Sequence, residues 1–321
     1  MQQAEIVCIG QAVVDCITIG ITYKGESRKS ARAKSITLNA GGDALNETVV
    51  LSHLGWKVRT LCITGDDPAG QLIRSAIAGA GADASGIRVE KDIRSVIADI
   101  IVEDDGSRIS INSEAIGLGG HHVDPDLIGR PRVVSLASLF RAPLDDPEAV
   151  LALARRAGES GAILCADTKI PVYRRISLSE FRDVLSLVDY IFPNETEAAY
   201  YSGRTLTGQE TDREFEEMAD AFLEAGAGNV VIKTGARGCF YKGRAGTFSL
   251  PAFAVPVRDT TGAGDNFVSG FITALLEGSS VREACRFGSA CAALSIQAVG
   301  TTAGVKNRDQ VRDFLLHSEE K

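Results

Sequence analysis

The chain has 321 residues, of which 45% are hydrophobic and 24% charged, and its formal net charge is −8. That composition fits a globular protein able to bury a core without disulfide staples. The acidic balance argues against nucleic acid as the main partner, and no apolar run approaches the roughly 20 residues that cross a bilayer.

In chain order, "EIVCIG" reads as a strand. The start "MQQAEIVCIG" has neither a basic segment nor a cleavage site, so a cytoplasmic location is expected. Residues 11–40 carry "VVDCITIGITYKG" and "AKSITLNAGG", extended segments with no good helix. "ALNETVVLSHLG" reads as a helix ending at Gly55, and "KVRTLCITG" as a strand. "PAGQLIRSAIAGAG" reads as a helix with proline early and glycine at its end. Residues 93–113, "IRSVIADIIVEDDGSRISINS", read as a hairpin turning at "EDDGS". A strand follows in "RVVSLAS", then a helix in "DPEAVLALARRAGESG". "AILCAD" and "VDYIFPN" are strands, "DREFEEMADAFLEAGAG" a helix and "NVVIKTG" a strand. The remainder is mainly helical: "GDNFVSGFITALLEG", "SVREACRFGSACAALSIQAVG" and "NRDQVRDFLLH".

Strands alternating with helices predict a mainly parallel sheet covered on both faces, with ligands at the carboxyl ends of its strands. The two segments that break the rhythm predict a small β-sheet over a cleft. The expected organisation is an α/β body of residues 1–10, 41–92 and 114–321 and a β lid of residues 11–40 and 93–113. The seven cysteines form no CxxC pair and lie mostly in apolar runs, as buried reduced thiols do. The four histidines lack metal-ligand spacing, and His121 and His122 read as a solvated loop pair.

The most informative stretch is "RDTTGAGDNFVSGF", residues 258–271. Phe267, Val268, Phe271, Ile272, Leu275 and Leu276 make one apolar helical face, so a helix begins near Gly264. Its first N–H groups have no intrahelical partners. Gly262, Ala263 and Gly264 add little bulk, so an anion can approach those amides and the favourable end of the helix dipole. Asp265 would repel a phosphate bound there. It is explained either as an ordinary dipole-complementing residue or as a base that takes the proton of an attacking hydroxyl.

In "GGDALN", Gly41 and Gly42 let a ligand lie against the backbone, and Asn46 offers donor and acceptor to hydroxyls. The bland alternative is a glycine turn with Asp43 as helix cap. "FPNETEAAY" places Asn194 and Glu197 as a capping box. "VIKTGARGCF" sets Lys233, Thr234, Gly235 and Gly238 after a strand, in a connection that leads to another strand or makes room for a nucleotide. A P-loop GxxxxGK[ST], a dinucleotide fingerprint and a GxSxG elbow are all absent.

Two of these stretches carry a resemblance. "RDTTGAGDNFVSGF" resembles the C-terminal signature of the ribokinase, or PfkB, family of carbohydrate kinases, and "GGDALNETVVLSHLG" resembles its N-terminal signature. The resemblance covers nearly the whole chain. It implies a three-layer α/β/α ribokinase-like fold with a small β-sheet lid, and ATP-dependent phosphorylation of a sugar hydroxyl. It implies Asp265 as base, with Gly262, Ala263 and Gly264 as the anion hole. Asp15, Gly41, Gly42, Asn46 and Asp259 would contact the acceptor. Asn194, Glu197, Lys233, Thr234, Gly235 and Gly238 would serve the nucleotide, with Glu197 holding Mg²⁺ through water. Ser289 stands where the family often has an asparagine facing adenine. Asp259 and Thr261 match part of a monovalent-cation (K⁺) site found in some members. Lids in this family often pair between subunits, which implies a homodimer.

Two alternatives stay open: a nucleoside kinase of the same fold, and a non-catalytic sugar- or nucleotide-binding regulator. Only Tyr23 is aromatic across residues 11–40 and none is across 93–113, which favours a plain sugar over a nucleoside. Arg108 and Asn112 are candidate lid residues for acceptor selectivity.

Overall fold

In the computed structural model the described residues are 3–23, 31–102, 108–113, 120–172 and 174–318. The "EDDGS" turn and the side chains of Arg108 and Asn112 lie outside them. The first part of the chain forms β1 (Ile6–Ile9), β2 (Val13–Ile19), the short pair β3 (Thr22–Tyr23) and β4 (Ala31–Arg32), and β5 (Ser35–Gly41). Then come α1 (Asp43–His53), β6 (Val58–Leu61), β7 (Ile63–Gly65), α2 (Pro68–Gly79), β8 (Arg88–Glu90), β9 (Ile97–Val102) and β10 (Arg108–Asn112). The middle holds β11 (Val133–Leu139), α3 (Pro147–Glu159), β12 (Ile163–Thr168), α4 (Arg182–Leu185), β13 (Tyr190–Phe192), α5 (Glu195–Ser202) and α6 (Asp212–Glu224). The chain closes with β14 (Asn229–Lys233), β15 (Cys239–Gly243), β16 (Gly246–Leu250), α7 (Ala263–Leu276), α8 (Val281–Ser295) and α9 (Arg308–His317).

Eight strands form the central sheet in the order β16-β15-β14-β13-β12-β11-β1-β6. From β14 to β6 every pairing is parallel, and β15 and β16 close one edge as an antiparallel hairpin. Strand side chains alternate between faces, and that alternation divides the core. Val7 and Ile9, Val134 and Leu136, and Val230 and Ile232 pack with α3, α5 and α6 on one face. Ile6 and Cys8, Val133, and Val231 pack with α1, α7, α8 and α9 on the other. The result is the expected three-layer α/β/α architecture.

A separate four-stranded sheet, ordered β10-β9-β2-β5, is built from the two segments that break the α/β rhythm. Its β2 runs antiparallel to β5 and parallel to β9, and β9 pairs antiparallel with β10.

Several expectations need correcting. "KVRTLCITG" is two strands: β6 joins the central sheet, while β7 turns away at Cys62 to pair with β8. The "VDYIFPN" strand shortens to Tyr190–Phe192, and α8 ends at Ser295, short of Gly300. His121 and His122 are half-buried, and the His121 ring lies 3.6 Å from both Glu90 and Asp92. All seven cysteines are free, and all but Cys16 are buried. Among the described residues no helix is long and apolar enough to cross a membrane.

Candidate active site

At the carboxyl ends of the parallel strands lies one continuous cavity of about 810 Å³, roofed on one side by the small sheet. The start of α7 forms part of its wall. Gly262 caps that helix with φ +76°, a left-handed conformation that costs glycine least. A Cβ there would stand 2.8 Å from the Thr301 carbonyl, so the position also needs a residue without one. Asn266 fixes the turn by donating to the carbonyls of Gly262 and Thr301, both at 2.7 Å. Gly262, Ala263 and Gly264 line the cavity beside Asp265. A Cβ on Gly264 would come within 3.2 Å of Lys233 Nζ, which puts that ammonium beside the amides.

Asp265 is buried, and Asn46 Nδ2 donates to its Oδ2 at 2.7 Å. Burial first, and then the Asp43 charge, push the Asp265 carboxyl up to about 7, against the pull of Lys169 and the Asn46 hydrogen bond. A carboxyl so placed can exchange a proton near neutrality.

One end of the cavity is framed by β2 and α1. Gly42 precedes α1 with φ +91°, and a Cβ on it would meet the Gln11 carbonyl at 2.8 Å. A Cβ on Gly41 would collide with Asp15 Oδ2, so the missing side chain lets that carboxylate lie flat beside the strand. Burial and then Asp43 raise the Asp15 carboxyl to about 6. Asn46 Oδ1 is buried without a hydrogen-bond partner, an acceptor awaiting a donor.

Asp43 is not the cap of α1. It is the first helical residue, and its Oδ1 lies 2.9 Å from Lys169 Nζ while its Oδ2 accepts from Ser138 Oγ at 3.0 Å. Burial opposes the charge on Lys169, but Asp43, Asp167, Asp265 and Glu197 hold its ammonium well above the usual lysine range. Lys233 is similarly tied, 2.5 Å from Asp167 Oδ1. One turn beyond Asp43, Glu47 is wholly buried with neither carboxyl oxygen hydrogen-bonded. Burial, reinforced by Asp167, Asp265 and Asp43, drives its carboxyl well above the ordinary range.

The residues expected to serve a nucleotide separate into wall and support. Asn194, Lys233, Gly235, Gly238 and Ser289 line the cavity. Ser289 Oγ is buried and unpartnered between apolar neighbours. Thr234 is buried outside the lining, and its amide donates to the Gly238 carbonyl at 2.9 Å, closing the glycine turn. Asn194 and Glu197 form the capping box of α5, and Glu197 Oε2 also accepts from Thr168 Oγ1 at 2.9 Å. Glu197 lies behind the wall, with its carboxyl raised mainly by burial. Among the described residues no trio of His, Cys, Asp or Glu is grouped to hold a metal directly. The Asn194 amide on the wall, with the Glu197 carboxylate behind it, would reach an ion only through that ion's water shell, the way Mg²⁺ is usually held. Asp259 accepts from the Thr261 amide and hydroxyl at 3.0 and 2.7 Å and from the Gly300 amide at 3.0 Å, so it ties two loops together beside the Gly262–Gly264 turn.

Sequence reasoning missed Lys169 and the inward aim of Glu47. The usable signal for Lys169 was its place just past the carboxyl end of a central parallel strand, where ligands of such sheets gather.

A family model for pfkB family carbohydrate kinases matches residues 3–308. The ribokinase of Haemophilus influenzae is 29% identical over 306 residues, covering 94% of this chain and 95% of that protein. The ATP-dependent ribose-1-phosphate kinase of Halopiger xanaduensis is 27% identical over 301 residues, covering 93% and 94%. Among solved structures, Arabidopsis thaliana ribokinase complexed with ribose and ATP matches with a TM-score of 0.79 at 24% identity, over 98% of this chain and 99% of that one. At that identity the likeness speaks for the fold.

Proposed function

The chain belongs to the pfkB family of carbohydrate kinases, and from that membership we propose that it transfers the γ-phosphoryl group of ATP to a hydroxyl of a small sugar or sugar derivative. The observation that carries this reading is the meeting of Asp265, the Gly262–Gly264 amides and Asn46 in one cavity. Asp265 removes the proton of the acceptor hydroxyl. That oxygen bonds to phosphorus as the bond to the ADP leaving group breaks, and the α7 amides and Lys233 meet the charge on the transferring oxygens. Positioning and charge stabilisation carry most of such a step, because its transition state is loose.

Asp15, Gly41, Gly42 and Asn46 hold the acceptor, and the unpartnered Asn46 Oδ1 supports a hydroxyl donor there. Asn194, Gly235, Gly238 and Ser289 face the nucleotide, and Thr234 supports their turn. Mg²⁺ neutralises the phosphates when bound, and Asn194 with Glu197 behind it would hold its water shell. A K⁺ at Asp259 and Thr261 would share that carboxylate with the three donors already on it, so its role is to stiffen the anion-hole turn. The acceptor wall supports a sugar over a nucleoside. Val96, just before β9, and Ala98 and Ile100 within it line that wall, and the aromatic residue there, Phe140, is fully buried with its ring against Phe181 and Tyr201. The lid sheet closes this end, and its outer face pairs with a second copy of the chain.

ADP release from Mg-ATP with hexoses, ketoses, pentoses, sugar acids and nucleosides tests the reading. A sugar-dependent signal abolished by Asp265→Asn is expected. ADP release with none of the panel would favour the non-catalytic binder, and release with nucleosides alone would favour the nucleoside kinase.

A further inference from the structure

Among the described residues, four cationic side chains line the cavity: Lys169, Lys233, Arg174 and Arg141. Three are already paired. Lys169 meets Asp43 at 2.9 Å, Lys233 meets Asp167 at 2.5 Å and Arg174 meets Glu180 at 2.5 Å. Arg141 has no acidic partner among the described residues. Its Nε donates to the Ile170 carbonyl at 2.9 Å, and neither Nη is hydrogen-bonded to another described residue. The guanidinium is fixed along one edge while its two terminal nitrogens stay open.

The loop that carries Arg141 holds it firmly. It follows Phe140, whose φ of +76° is rare for a residue with a Cβ. The buried Phe140 ring packs against Phe181 and Tyr201 and sustains that backbone; such strain gathers at ligand sites. The Arg141 amide donates to the Ser138 carbonyl at 3.0 Å, and the Arg141 carbonyl accepts from the Leu144 amide at 2.6 Å. Ser138 Oγ in turn accepts from the Gln11 amide and donates to Asp43 Oδ2, both at 3.0 Å. These bonds tie the loop to the end of the cavity framed by β2 and α1, where Asp15 also stands.

We propose that the acceptor is a sugar acid, and that Arg141 is the specificity-determining residue that receives its carboxylate on the two open Nη groups. The inference rests on the sugar-kinase reading of this cavity and narrows its substrate class. A planar guanidinium fork matches the two oxygens of a carboxylate. Charge narrows the class further. Asp15, Asp43, Asp145 and Asp265 line the same cavity and repel any anion that Arg141 does not meet. One unpaired cation balances one carboxylate. A phosphate ester carries about −1.5 to −2 and would leave charge uncompensated beside those four groups. A neutral sugar would leave the fork without an anion.

ADP release from Mg-ATP tests this with aldonic, 2-ketoaldonic and uronic acids, each beside the neutral sugar and the phosphate ester of the same chain length. At least one acid is expected to exceed both counterparts in kcat/KM by about tenfold or more, on the scale of one hydrogen bond to a charged group. Arg141→Gln should raise KM for that acid by about 10–150-fold and bring the acid-to-neutral ratio down towards one. Arg141→Lys, a point charge without the fork, should fall between the two. An arginine that only supported its loop would lower all acceptors alike. Best turnover with a neutral sugar or a sugar phosphate, or an acid-to-neutral ratio that Arg141→Gln leaves unchanged, overturns the proposal while the kinase reading stands. Should Arg141→Gln fail to fold, the wild-type ratio and its partial loss in Arg141→Lys decide. If no acceptor supports turnover, the kinase reading is the one that fails, and calorimetric titration of the same acids still decides the carboxylate site. Binding by the wild type that Arg141→Gln or Arg141→Lys weakens upholds it, and absent or unweakened binding removes it.

Discussion

Asn46 donates to Asp265 across 2.7 Å, and this buried hydrogen bond joins helix α1 to helix α7 over 219 residues of sequence. It ties the acceptor half of the cavity to the proposed base. A hydrogen bond to a charged group contributes about 1.5–3 kcal/mol, or roughly 10–150-fold in a rate that depends on it. Asn46→Leu, close in volume but without polar atoms, is therefore expected to lower kcat/KM by about that factor. The lost donor favoured the carboxylate, so the acid limb of the pH profile should also move to higher pH. Steady-state kinetics across pH check both. A loss confined to KM for the acceptor, with an unmoved limb, would mean that Asn46 only binds sugar.

The pH dependence of Asp265 has a definite sign. Its carboxyl titrates near about 7 in the fold, against about 3.9 in an unfolded chain. As a base it must be ionised, so kcat/KM should rise about tenfold per pH unit up to about 7 and then level. Stability runs the other way. Between the two values the native state binds more protons than the unfolded chain, so this group's contribution is complete at low pH and is lost as pH rises through about 7. Asp265→Asn should then lose about 10²–10⁴-fold in turnover, keep its ATP and sugar affinities by calorimetry, and melt at a higher temperature than the wild type at pH 8 but not at pH 4.

Much of this site is readable along the chain because it is local. A glycine turn, a carboxylate and a helical period share residues 258–271, and each part makes sense only with the others. The uninterrupted apolar run "IVCI" likewise shows a strand buried on both faces. The Asp43–Lys169 pair is not local: a helix start meets a strand exit across 126 residues, and "DTKIP" read alone is an ordinary loop. Glu47 misleads for a related reason. A lone glutamate inside a helical pattern gives no sign of burial, and only the packing of α1 against the sheet turns its side chain inward. The break at Cys62 fails because an apolar run does not say which of two sheets receives it.

Gly262 offers a test of the anion hole through the backbone. Alanine there must adopt φ near +76° and place a Cβ 2.8 Å from the Thr301 carbonyl. The backbone conformation and the clash together cost about 1–3 kcal/mol, and relief requires the amide turn to move. Gly278 at the far end of α7 is the control, since it has φ +87° but nothing within 4 Å of a Cβ. Both alanine variants should lose stability in urea, while only Gly262→Ala should lose turnover, by about 10²-fold or more, as misplaced catalytic groups do. Equal turnover in the two would remove the turn from the chemistry.

The outer face of the small sheet predicts association. Pairing across β5, β2, β9 and β10 sets Ile36 and Leu38 on the same side as Ile97, Ile109 and Ile111, and away from the side on which Asp15, Ala98 and Ile100 face the cavity. These five residues are 41–65% exposed, a row of large aliphatic side chains in water. Asp99 and Thr18 share this side, but monomers rarely leave so many large aliphatic side chains together in water, and a two-fold pairing of the same face on two chains covers them with self-complementary contacts. Analytical ultracentrifugation at micromolar concentration should give twice the 34.0 kDa chain mass. Leu38→Glu combined with Ile111→Glu should give the single-chain mass, because four carboxylates would then be buried at the pair's centre without partners. If closure over the acceptor depends on that pairing, the monomeric variant will also show a raised KM for sugar with little change in KM for Mg-ATP. A wild type that sediments as a monomer would leave the aliphatic row without a partner of its own kind and withdraw the dimer.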